Sequence, residues 1–247
     1  MSRTRKLALV TGVMYLVTFV TSIPAAFLKE PVTDDPAYVT GSGADGMVVA
    51  GGILELILAI ACVGTAVAIY PVIRRQSETS ALGFVAARVI EAAVILVGVF
   101  TVLAVVTLRQ GYAAAPDAGA ADSLLVTGRA LVAVHDWAFL IGLGLIPALN
   151  ALFLGSALLR SGLVPRAIPL VGLIGAPLLV ASALATMVGL HDQVSATAAL
   201  AALPIAGWEF SIGVWLVAKG FRPDAVARLG LAGTSRVAGS PAAPVPA

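Results

Sequence analysis

Residues 82–108 read LGFVAARVIEAAVILVGVFTVLAVVTL, 27 residues with two charges, Arg88 and Glu91. A run this long and apolar crosses a bilayer as a helix. An arginine deep in such a span costs on the order of 3 kcal/mol on insertion scales, so Arg88 needs a partner or a watery neighbourhood. Glu91 follows three residues later and shares its helix face. The other apolar stretches are placed by asking whether they face this pair.

Composition extends the reading to the whole chain. Of 247 residues, 60% are hydrophobic and 11% charged, with a mean hydropathy of +1.02. Soluble domains carry about 25% charged residues. So little charge cannot cover a water-facing surface, and most of the surface must face lipid. The net charge of +2 gives no basic field for nucleic acid. A single cysteine, Cys62, and two histidines exclude an internal disulfide, a multi-cysteine zinc site and a three-histidine metal site. The lipid bilayer is the expected partner, and no metal or cofactor is expected.

In chain order, a basic start (residues 1–6) leads into an apolar run at 7–28. That run exceeds the 7–15 residues of a signal-peptide core and is long enough to span. Residues 29–46 hold two Pro, three Gly and four acidic residues, which predicts a loop. Further spans are expected at about 47–73, 82–108, 137–159, 167–190 and 198–218. Residues 109–123 read as a second loop and 124–134 as a short helix at the interface. Pro147 is expected to kink the fourth span. Residues 221–247, rich in Ala, Gly and Pro, read as a disordered cytoplasmic tail behind a single domain of residues 1–220. The predicted class is an all-α, six-span membrane bundle.

Orientation follows from the cations. Arg3, Arg5, Lys6, Arg74, Arg75, Arg160, Arg166, Lys219, Arg222, Arg228 and Arg236 fall on one side. Lys29, Arg109 and Arg129 fall on the other. The excess of positive charge places both termini in the cytoplasm. An even number of spans independently requires both termini to share a side.

The ionisable residues at membrane depth are Glu55, Arg88, Glu91 and Glu209, with His135 and Asp136 near the outer face. Helix rise puts Glu209 about 3 Å outward of the midplane, Glu91 about 6 Å inward and Arg88 about 10 Å inward. Arg88–Glu91 contact is therefore easy and Arg88–Glu209 contact within reach. Glu55, about 7 Å outward, is better placed to meet His135 or Asp136. These six residues form the candidate polar site, since intramembrane ionisable groups mark functional sites by default. His135-Asp136 also fits an interfacial polar pair.

Four segments carry a resemblance to a known family. They are Arg88-x-x-Glu91; His135 followed by Ile141-Gly142-Leu143; Leu159-Arg160-Ser161-Gly162-x-x-Pro165-Arg166; and Glu209 with Trp215-Leu216-x-x-Lys219-Gly220. Over roughly residues 5–220 the chain resembles the bacterial membrane proteins grouped as domain of unknown function 4386. The resemblance implies a six-span protein of the bacterial inner membrane and no particular activity.

Three functions are compatible with this charge set. The site could bind or transport a small solute or ion. Alternatively, the charges could fix helix packing in a structural or regulatory membrane protein. A third reading is an enzyme acting on a lipid or quinone at Glu55, His135 and Asp136. The first and third readings call for a small-molecule or lipid ligand, and the second calls for none. The topology has a direct check. In a Cys62→Ser background, Asp34→Cys is expected to react with an impermeant thiol reagent only from outside the cell, and labelling from the cytoplasmic side alone would reverse the assignment.

Overall fold

The computed structural model describes residues 1–35, 37–41, 43–112, 114–115 and 117–231. Among these residues there is no strand. Six helical segments are long and apolar enough to cross a membrane. The fold is an all-α polytopic membrane bundle. Val20, Ile60, Phe100, Ile174 and Leu203 lie on its outside, 61–71% exposed, as a lipid-facing surface requires.

Helix α1 (Arg3–Thr33) begins at Ser2, whose side chain accepts from the Arg5 amide. It continues five residues beyond the apolar run and carries Pro24 and Pro31 inside it. The expected loop at 29–46 is therefore shorter than predicted. Its remainder holds a single 3-10 turn (Tyr38–Thr40) before α2 (Asp45–Ile73). The Tyr38 hydroxyl donates to Asp45 at 2.6 Å, and Arg109 Nη1 reaches the same carboxylate at 2.6 Å. Burial and the Asp45 carboxylate push the Tyr38 hydroxyl above its ordinary pKa.

Helix α3 (Glu78–Tyr112) contains the opening stretch. The next expected boundary is wrong. No separate interface helix precedes the fourth span: α4 (Ala118–Gly142) is continuous through Trp137, capped by the Asp117 side chain on the Ala120 amide. The break falls instead at Leu143–Leu145, inside the expected fourth span. Pro147 then occupies the first turn of α5 (Ile146–Asn150), where its missing donor is harmless. A π-helical stretch, Ala151–Gly155, leads into α6 (Ser156–Ser161).

Gly162 ends α6 at φ +66°, a backbone region that favours glycine. Then come α7 (Ala167–Met187) and α8 (Ala196–Ala218). These two meet closely at Gly172, where an added Cβ would lie 2.5 Å from the Trp208 ring. Neighbouring helices pair in the order α1–α2–α3, then α3 with α5, α5 with α7, α7 with α8, and α8 back to α1. The spans thus form a closed ring, and α4 packs along α3 and also touches α1 and α5.

The tail also differs from expectation. Residues Pro223–Arg228 form a short helix, α9, with Ala225 fully buried. The Arg222 amide donates to Leu163 O at 2.9 Å, and Val226, Leu229 and Leu231 pack on the main core. The segment after residue 220 is short, but it supplies an apolar stripe that covers the 160–166 turn. Residues 232–247, the rest of the expected tail, lie outside the described residues. Ala225→Asp buries a charge without a partner and is expected to lower stability by about 2 kcal/mol or more, measured as melting in detergent.

Candidate functional site

The α1 residues Tyr15, Thr18, Ala25 and Lys29 recur at spacings of three and four, so they share one buried stripe. On α2, Glu55 and Cys62 stand seven residues apart, about 10 Å along the axis. These two stripes, together with α3, build two ionic clusters at different depths.

The first cluster surrounds Arg88, which is 1% exposed. Its Nη1 donates to Glu91 Oε2 at 3.0 Å, and its Nη2 pairs with Glu209 across the ring. Asn150 Nδ2 donates to the same Glu91 oxygen at 2.7 Å, and Cys62 Sγ accepts from Nη1 at 3.6 Å. The guanidinium carbon lies 5.0 Å from the Tyr15 ring centroid and 5.6 Å from that of Phe84. Arg88 Nε, Asn150 Oδ1 and the Tyr15 hydroxyl have no partner among the described residues. One cation faces two carboxylates, so the cluster holds one acid group more than its arginine can neutralise.

The second cluster centres on Lys29, which is 2% exposed. Its ammonium donates to Glu55 Oε1 at 2.5 Å and to His135 Nε2 at 3.0 Å. An ammonium has no acceptor, so Nε2 accepts and the ring proton resides on Nδ1, 3.3 Å from Asp136 Oδ1. Among the buried groups here the lysine and Glu55 balance, while Asp136 adds a second carboxylate that is 55% exposed.

One cavity touches the first cluster, and a second lies next to that cavity. The first, of about 140 Å³, lies inside the ring and is lined from α1 (Thr18, Ser22), α2 (Cys62), α3 (Arg88, Glu91), the break (Leu143), α5 (Pro147), α7 (Leu179) and α8 (Ala202, Glu209). The other, of about 320 Å³, lies between α4, α7 and α8 and runs to Gln193–Ser195, at the end of the bundle opposite the start of α1. Leu143, Leu179 and Ala202 line both. Beside Glu55 and His135 there is only about 10 Å³.

A family match decides the chain's relationship. The family described as "Domain of unknown function (DUF4386)" matches residues 10–220. The chain belongs to that family. No curated protein and no solved structure matches it. DUF4386 membership agrees with the resemblance read from the sequence, and in this member the matched span ends just before α9. It also contains both ionic clusters.

The structure therefore brings Arg88, Glu91 and Glu209 into one cluster and Glu55, His135 and Asp136 into the other. Sequence reasoning missed Lys29, which stands between Glu55 and His135. The density of Pro, Gly and acidic residues over 29–46 reads as a loop, although Lys29 keeps the helical phase of Ala25. Asn150 and Tyr15 were missed as well, since a neutral residue in an apolar span gives no charge signal.

Removing one member of a buried ion pair typically costs about 3–5 kcal/mol, because the other is stranded. Glu91→Gln and Glu209→Gln should fall short of that figure, as each leaves Arg88 a second carboxylate. Arg88→Leu should reach it, and adding Glu91→Gln to Arg88→Leu should recover part of the loss. Melting of the single and double variants in detergent checks this. Strict additivity would show that the charges are not coupled.

Proposed function

We propose that the chain is a membrane binding protein or transporter for a small solute carrying positive charge, or for a cation, with Glu209 as the ligand-facing carboxylate. Glu209 stands on the wall of the 140 Å³ cavity, beside Arg88 and Glu91, and Leu143, Leu179 and Ala202 are lining that this cavity shares with the 320 Å³ one. A largely buried carboxylate on a cavity wall is the observation that carries the reading. The surplus acid group sets the sign: one arginine against two carboxylates leaves a place for a proton or another cation. The break at Leu143–Leu145 adds support, because an interrupted helix at membrane depth is tolerated where it lines a cavity. The cation distribution favours a cytoplasmic start of α1, and with that orientation the 320 Å³ cavity near Gln193–Ser195 lies toward the outer face of the membrane.

One observation favours a structural role instead: Arg88 joins α3 to α8, and Asn150 joins α5 to Glu91. That reading expects Glu209→Gln to cost stability and to change no ligand response. The lipid- or quinone-acting enzyme receives no comparable support, since the space beside Glu55 and His135 holds one water at most.

The purified protein is to be screened by melting against Na⁺, K⁺, methylammonium and tetramethylammonium. At least one cation is expected to stabilise the native chain and to leave Glu209→Gln unchanged. The same cation should slow labelling of Ala202→Cys in a Cys62→Ser background. If no cation shifts the melting, or the shift survives Glu209→Gln, the proposal is overturned.

A further inference from the structure

A second cavity system lies at the end of the bundle where α1 starts and α8 ends, and there a groove of about 820 Å³ runs between α1, α2, α8 and α9. Arg3, Arg5, Arg74, Arg75 and Lys219 line it, and no carboxylate does. None of the five makes an ion pair among the described residues. Residues 225–247 include no Asp or Glu. Five like charges around one groove repel one another, and an anion relieves that repulsion.

Two of the cations are held in place. Arg5 donates from Nη1 to Leu216 O at 2.7 Å and from Nη2 to Val217 O at 2.6 Å, which fixes the start of α1 to the end of α8. The Arg74 guanidinium stacks 5.7 Å from the Tyr70 ring centroid. Beneath the charged rim the lining turns apolar, with Leu7, Phe221 and Val226. Leu7 and Phe221 belong to the main core cluster or pack against it.

We propose that this groove binds the headgroup of an anionic phospholipid. A cationic rim over an apolar floor matches an amphiphile with a phosphate at one end and hydrocarbon at the other. Its position at the ends of membrane-spanning helices is the level at which lipid headgroups sit, and basic pockets there recognise anionic lipids. Arginine adds paired N–H donors suited to phosphate oxygens.

The test compares melting in nanodiscs of phosphatidylcholine alone with nanodiscs containing phosphatidylglycerol. Native protein is expected to melt higher with phosphatidylglycerol. The Arg3→Gln/Arg74→Gln/Arg75→Gln variant should lose that gain and match the native chain in phosphatidylcholine. Arg5 is left in place because it ties α1 to α8. If the variant does not fold, native mass spectrometry of the unaltered protein in an equimolar mixture decides. Phosphatidylglycerol should then be retained at least about five-fold over phosphatidylcholine, the factor expected from a single cation near an anionic surface. Equal retention, or a melting gain that survives the triple substitution, overturns the proposal. So does an equal gain from inorganic phosphate in phosphatidylcholine discs, which would mark a site for a soluble anion.

Discussion

One buried guanidinium organises this bundle. In lipid, apolar helix faces gain little by meeting each other rather than acyl chains, so polar contacts and close packing decide which helices are neighbours. Arg88 supplies the strongest of these contacts. It draws Glu91 from its own helix, Glu209 from α8, the Cys62 sulfur from α2 and the Tyr15 ring from α1. Asn150 brings α5 to the same point through Glu91. Five segments thus converge on one side chain, and the ring order α1–α2–α3–α5–α7–α8 places all five around it.

The two ionic clusters are built alike but balanced differently. Lys29 meets one buried carboxylate and His135 Nε2 in almost no free volume, with Asp136 at the exposed side of the imidazole. Arg88 meets two carboxylates beside a cavity. A matched, tightly enclosed set is suited to holding α1, α2 and α4 together. An unmatched one beside open space is suited to exchanging a charged guest.

Much of this was legible from residue spacing. Arg88 and Glu91 are three apart on one helix, and Glu209 falls at a compatible depth on any sensible assignment of the last span. The Lys29 cluster was hidden because proline and acidic residues after Leu28 imitate a loop, whereas α1 tolerates Pro31 and buries Lys29 against a partner from α2. The break at Leu143–Leu145 was hidden for the opposite reason: nothing charged marks it, and Pro147 points a few residues too late. The stretch after residue 220 was misread because alanine- and glycine-rich composition resembles a tail, while Ala225, Val226 and Leu229 have just enough periodicity to dock one helical turn.

Closure of the ring between the first and last spans has a consequence for biogenesis. The chain emerges from the ribosome N-terminus first. When α3 enters the bilayer, α8 does not yet exist and Arg88 lacks its cross-ring partner. Glu91 is already present one turn away, so α3 carries its own counter-charge into the membrane. α1 likewise waits with one flank open until α8 arrives and Leu216 and Val217 offer their carbonyls to Arg5. Glu91 therefore acts as an escort during insertion, and Glu209 as the clasp that closes the finished ring.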